Sequence, residues 1–173
     1  EPEKLEGEPV ESAIDKLLRP LKRKKPSRIK IEGVDDVLFR MAKCCNPLPG
    51  EAIIGFVTRG RGITVHAADC PIALDLDEER RVEVEWSLAD QTRAVNAEIE
   101  AVVQNRAGVL SMISNAIAGM EINIQEIHSR NMPDQTVTLT IVISVQNIEQ
   151  LNGVLAELRK QKGILSVERI RRG

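Results

Sequence analysis

Apolar residues recur along this chain in two rhythms, and both are clearest beyond residue 94. Val95, Ala97, Ile99, Ala101 and Val103 alternate with mostly polar residues, the period of a half-buried strand. Leu110, Ile113, Ile117 and Met120 then recur at helical spacing, with Gly119 near the predicted helix end. Ile122 and Ile124 open a second strand, and Ile127 falls out of phase, which predicts a bulge. Pro133-Asp134 is a turn signal. Val137, Leu139, Ile141, Ile143 and Val145 mark a third strand. Asn147 and Gln150 form a capping pair ahead of the stripe Ile148, Leu151, Leu155 and Leu158, which Gly163 is expected to end. Ile164 to Ile170 closes as a fourth strand. This order, βαββαβ, predicts a ferredoxin-like unit: a four-stranded antiparallel sheet with two helices on one face. Its bare face or edge strand needs cover, and a second copy of the chain is one remedy.

The earlier part of the chain is less regular. Residues 1–32 read as a linker. Within it, Ser12 to Leu21 predicts a short helix that Pro20 cuts or kinks, and Ile29 and Ile31 begin a strand. Residues 33–86 read as a small α/β unit. Val37, Leu38, Phe39 and Met41 supply apolar mass. Ile53 to Val57 and Ile63 to Val65 are strands joined across Thr58-Arg59-Gly60-Arg61-Gly62. Pro71 to Leu76 predicts a short helix with Pro in its first turn. Val82, Val84 and Trp86 alternate with charge and predict one final strand. Ser87 to Arg93 has no period and marks the boundary before a second domain at 94–173. The fold class is therefore α+β in two domains.

Composition changes this picture in three ways. Aromatics are only 2% of 173 residues, so the cores must be aliphatic. No apolar run approaches the ~20 residues that cross a bilayer. With no signal-peptide pattern and an odd cysteine count, a cytoplasmic, reducing location is expected rather than a disulfide framework. The net charge of -2 conceals a basic block, Arg19 to Lys30, which includes Lys22, Arg23, Lys24 and Lys25 and contains no acid. Such a block suits a polyanion such as RNA, and equally a solvated linker. With Phe39, Phe56 and Trp86 the full aromatic set, any RNA contact would work through phosphates and shape.

All three cysteines and one of the two histidines lie between Cys44 and Cys70. The predicted hairpin would bring Cys44-Cys45 towards His66 and Cys70, and four soft ligands meeting at one place is the arithmetic of a zinc site. His66 and Cys70 share a face if the turn between them is helical. Adjacent Cys44 and Cys45 could serve one ion only across a distorted turn, which Pro47, Pro49 and Gly50 permit. Spacing leaves a second reading open: semi-buried thiols beside a strand end, with a hydrogen-bonded core histidine.

In the second domain, Asn105-Arg106-Ala107-Gly108-Val109-Leu110 leads from strand to helix. A helix N-terminus there would suit the carboxylate of a free amino acid, with Asn105 accepting from its ammonium group. An ordinary turn is the alternative. Neither histidine precedes Asp, and no phosphate-cradling Gly-Lys-Ser/Thr loop is present, so no catalysis is expected of this chain.

The segment 105–110, within this strand order, resembles an ACT domain. Cys44-Cys45-Asn46-Pro47-Leu48-Pro49-Gly50, Gly60 to His66 and Asp69-Cys70-Pro71 resemble the zinc-finger-like (RIS) domain of long RelA/SpoT-type stringent-response proteins. Those are the guanosine tetra- and pentaphosphate, (p)ppGpp, synthetase/hydrolases, in which both domains occur in this order at the C-terminus. The resemblance implies a regulatory region that contacts the ribosome and ribosomal RNA beside an uncharged tRNA. It also implies signalling of amino-acid starvation to N-terminal catalytic domains. Cys44, Cys45, His66 and Cys70 become the metal quartet, with zinc as the expected ion. Arg59 and Arg61, with Lys22 to Lys25, become RNA contacts. Residues Asn105, Arg106, Gly108, Val109, Leu110, Asn123 and Ile124 become a site for a branched-chain amino acid. Asn105 stands where amino-acid-binding ACT loops commonly carry an acid, which weakens the hold on an ammonium group. A homodimer through the ACT domain is implied. The alternative function is an amino-acid-sensing ACT dimerisation module without RNA binding.

Overall fold

A computed structural model describes residues 29–30, 38–60, 62–87 and 94–171. The proposed RNA contacts Lys22, Arg23, Lys24, Lys25 and Arg61, and the helix expected at Ser12 to Leu21, lie outside these residues.

The second unit follows its sequence rhythm. Strand β7 (Val95–Gln104), helix α2 (Val109–Ala118), strands β8 (Asn123–Asn131) and β9 (Thr136–Val145), helix α3 (Ile148–Arg159) and strand β10 (Ile164–Arg169) occur in the expected order. The sheet order is β10-β7-β9-β8, antiparallel throughout. One face of β7 and β9, from Ala97 to Val103 and Val137 to Val145, is buried against Ile113, Ile117, Leu151 and Leu158 of the helices. The register shift between Ile124 and Glu126 is the bulge that Ile127 announced. Asn147 caps α3 by accepting from the Gln150 amide at 2.8 Å. Gly163 does not itself end α3, which stops at Arg159; with φ of 91° it turns the chain into β10.

The first unit is a mixed sheet of β2 (Phe39–Met41), β3 (Ile53–Thr58), β4 (Gly62–Ala67) and β5 (Arg81–Val82), in the order β2-β4-β3-β5. The hairpin β3–β4 is as expected, but β2 is a strand that periodicity did not reveal, pairing parallel to β4. The single strand expected at Val82 to Trp86 is two pieces. β5 pairs with β3, and β6 (Glu85–Trp86) pairs with β1 (Ile29–Lys30) in a separate two-stranded ribbon. The break lets Val84 turn inward with Val82 over Gly55, where any Cβ would lie 2.8 Å from both. The helix after Cys70, α1 (Pro71–Leu74), is one turn long, and a 3-10 turn (Glu78–Arg80) follows.

The loop from Cys44 to Glu51 joins the two units. Leu48 is fully buried, and its neighbours are the core residues of the second sheet rather than the first. The Pro49 carbonyl accepts from the amide of Ile148, the first residue of α3, at 2.9 Å. One of the orphan donors of that helix end is thereby satisfied from the other unit.

Candidate metal centre and interdomain clamp

The cysteine and histidine ligands arrive on two turns. The chain leaves β2 through an α-turn in which the Asn46 amide donates to the Ala42 carbonyl at 2.8 Å. Asn46 is left-handed, with φ of 40°. This distortion lets neighbouring Cys44 and Cys45 turn to the same side, which a regular strand forbids. His66 lies at the end of β4, and Cys70 is the N-cap residue of α1. A tight turn, not a helical one, links them, closed by the Cys70 amide on the Ala67 carbonyl at 3.0 Å.

The hairpin brings all four groups together, their ligand atoms lying within 4.8 Å of one another. Cys44 Sγ is 3.9 Å from Cys45 Sγ, 3.7 Å from Cys70 Sγ and 3.4 Å from His66 Nδ1. Cys45 Sγ is 3.9 Å from the same nitrogen. Zinc bond lengths of about 2.3 Å to sulfur and 2.0 Å to nitrogen give tetrahedral edges of roughly 3.5–3.8 Å. The four separations sit at that scale, and three thiols with one imidazole are a zinc donor set. The residues fit the ion.

Burial is the largest single influence on the charge state of these four groups. Burial pushes Cys44 up, helped by its hydrogen bond to Cys70, and pushes Cys45 up to about 12. Burial holds His66 down. Burial also raises Cys70, but the Ala73 amide at the start of α1 and the other two thiols outweigh it, and its net direction is down. Most of the quartet is thus uncharged without an ion, and a metal would displace thiol protons as it binds. Phe56 closes one side, its ring edge-on to His66 at 5.9 Å.

Residues that the sequence did not single out hold the two ligand turns from outside. Arg169, at the end of β10, donates to Glu51 Oε1 at 2.7 Å, to the Asn46 carbonyl at 2.8 Å and to the Cys45 carbonyl at 3.3 Å. Arg171 donates to the same Glu51 oxygen at 2.9 Å and to Asp69 Oδ1 at 2.7 Å. The other Glu51 oxygen accepts from the Leu48 amide at 2.5 Å. Asn46 Nδ2 reaches the Asn96 carbonyl on β7 at 3.2 Å. Arg171 is pulled down by burial but held up overall by Asp69 and Glu51, and Arg171 in turn holds Asp69 below the usual carboxylate range.

The other candidate residues are placed differently. Arg59 is exposed at the tip of the β3–β4 hairpin. Gly108, with φ of 83°, caps α2, and nothing lies within 4 Å of where its Cβ would be. Val109 is buried in the core and Leu110 is exposed. The Arg106 side chain is engaged with the Lys162 carbonyl and lies over Gly163. The Asn105 amide donates to the Gln135 carbonyl at 3.0 Å. Asn123 is exposed and Ile124 packs on the core, both beyond the far end of α2. A 10-residue helix is about 15 Å long. Within one chain, a single amino acid therefore cannot touch both the Gly108 turn and Asn123-Ile124.

Comparison with known proteins gives this arrangement a family. Residues 29–87 match the RelA/SpoT RIS domain, and residues 91–169 match an ACT domain. The chain belongs to the RelA/SpoT family. A GTP pyrophosphokinase of Myxococcus xanthus is 39% identical over 149 residues, covering 86% of this chain and 19% of the relative. The Escherichia coli (strain K12) GTP pyrophosphokinase is 31% identical over 147 residues, covering 83% and 20%. The chain thus spans about a fifth of the length of these relatives. The crystal structure of the ACT domain from GTP pyrophosphokinase of Chlorobium tepidum is 28% identical, covering 44% of this chain and 99% of that one, with a TM-score of 0.40. In RelA/SpoT terms, the Cys/His quartet lies in the RIS domain, Arg169 is the last residue of the ACT match and Arg171 lies two residues beyond it.

Proposed function

We propose that this chain is the regulatory region of a (p)ppGpp synthetase/hydrolase. It contacts the ribosome and ribosomal RNA beside an uncharged tRNA, and relays amino-acid starvation to catalytic domains N-terminal to it in a cytoplasmic protein. The observation that carries this reading is the RIS–ACT pair itself, aligned with GTP pyrophosphokinases over most of its length. A module that relays a signal needs stiffness between its contact surface and its partner, and the shared Leu48 core supports that need. The RIS domain holds zinc through Cys44, Cys45, His66 and Cys70. Among the described residues, no helix is long and apolar enough to cross a membrane.

The test is binding to purified ribosomes as a function of salt. Phosphate contacts release counterions, so affinity should fall steeply with ionic strength. Neutralising Lys22 to Lys25, or Arg59 with Arg61, should weaken binding and flatten that slope. Binding that ignores salt, or that survives both sets of changes, refutes the assignment of those residues.

A second reading is an ACT dimer that senses a branched-chain amino acid. The open turn at Gly108 favours it. Because Asn123 and Ile124 sit at the other end of α2, the pocket would need a second copy to bring them to Gly108. Calorimetric titration with valine and isoleucine, alongside sedimentation to measure the oligomer, decides it. Heat release from a dimer supports this reading, and none at millimolar ligand retires it.

A further inference from the structure

The four metal ligands belong to the RIS domain, but the bonds fixing the backbone around them do not all come from it. Cys44 and Cys45 ride on one turn, His66 and Cys70 on another. Arg169 of the ACT domain grips the carbonyls of Cys45 and Asn46 on the first turn. Arg171 grips Asp69, the residue before Cys70, on the second. Both guanidinium groups meet on one oxygen of Glu51. That carboxylate is 9% exposed and its Arg169 partner 11%. A single charged knot therefore spans the gap that a bound ion would also span.

We propose that Arg169 and Arg171 are positioning residues of the metal site, so that metal binding in the RIS domain and docking of the ACT domain are one linked equilibrium. This rests on the reading of the quartet as a zinc site. Outer contacts that orient ligand-bearing groups commonly change metal affinity by about 10- to 100-fold. Linkage is reciprocal: whatever docking adds to metal affinity, metal adds to docking by the same factor. Leu48 and Pro49 extend the coupling, because the turn that carries Cys44 and Cys45 runs directly into the residues buried against α3.

The experiment uses the full chain in two arms. The first measures zinc affinity by competition with a chromophoric chelator, for the wild type, Arg169→Gln, Arg171→Gln and Arg171→Lys. The proposal expects the two Gln variants to bind zinc about 10-fold or more weakly, with Lys partly restoring affinity. The second needs no variant. Hydrogen exchange of the Ile148 amide is followed with zinc and after its removal by chelation. That amide's bond crosses to Pro49, so it reports docking directly. Faster exchange at Ile148 without zinc, with β7 and β9 amides still protected, supports the coupling. Wild-type zinc binding with unchanged affinity in the Gln variants and unchanged Ile148 exchange overturns it. A wild type that binds no zinc overturns it too, by removing the metal reading on which it stands. If an Arg→Gln variant unfolds, the wild-type exchange arm still decides.

Discussion

Arg169 Nη1 lies 2.7 Å from Glu51 Oε1 across 118 residues of sequence, and both side chains are almost out of solvent. A buried ion pair gains little over apolar packing, but halving it leaves a charge stranded without water. Glu51→Ala leaves the buried Arg169 guanidinium without its carboxylate, takes one of two carboxylates from Arg171 and frees the Leu48 amide. It should lower stability by about 3 kcal/mol, read from the urea midpoint. Asp69→Ala removes only the outer pair, whose carboxylate is exposed, and should cost under about 1 kcal/mol. Equal losses from the two variants would show that the knot has no buried centre.

Leu48 gives a prediction that locates the interface. Leu48→Ala opens a cavity in the ACT core and should cost about 2–5 kcal/mol. The loss should appear as faster hydrogen exchange in β7, β9 and α3, although the residue belongs to the RIS domain. Damage confined to β2–β5 would contradict the placement.

The ACT domain was legible because one long core imposes both periods on its sequence. Each alternating residue of β7 and β9 faces either the helices or the open side, so period two is written along both, with Val102 and Val142 the apolar residues on the open side. The RIS domain has small cores on both sides of short strands, and no single period describes them. Phe39 to Met41 is too short for alternation to show, and the unbroken alternation of Val82, Val84 and Trp86 hides the point where the chain changes sheets. The metal quartet was legible because cysteine and histidine are scarce here and a hairpin predicts which of them meet. Leu48 was not, since it sits among prolines and glycine in a segment without period, and its burial depends on a partner more than 40 residues away. No period or motif marks Arg169 and Arg171, because their partners Glu51, Asp69 and the Cys45 and Asn46 carbonyls lie more than 100 residues earlier. Only the docked RIS loop gives them partners.

Two glycines with left-handed backbones should respond differently to alanine. At Gly62, φ is 78° and a Cβ would fall 2.1 Å from the Leu38 carbonyl oxygen. Gly62→Ala should therefore disrupt the β2–β4 pairing and cost more than about 2 kcal/mol. At Gly108 the space is open, so Gly108→Ala should cost only the backbone strain, about 1 kcal/mol. Thermal unfolding of the two variants side by side checks the ranking, and a reversal would contradict the local geometry.

The N-terminus of α3 is capped from two directions, by Asn147 from within the ACT domain and by Pro49 from the RIS loop. Asn147→Ala should cost about 1 kcal/mol. It should also speed exchange at Gln150, whose amide Asn147 accepts. Unchanged exchange there would show that the side chain does not cap.

The β3–β4 hairpin gathers three thiols and one imidazole where a single ion would bind. X-ray absorption at the zinc edge, on protein purified without chelator, tests this most directly. The account predicts one zinc per chain with three sulfur ligands at about 2.3 Å and one nitrogen near 2.0 Å. Metal-free protein, or zinc surrounded by oxygen and nitrogen alone, would contradict it.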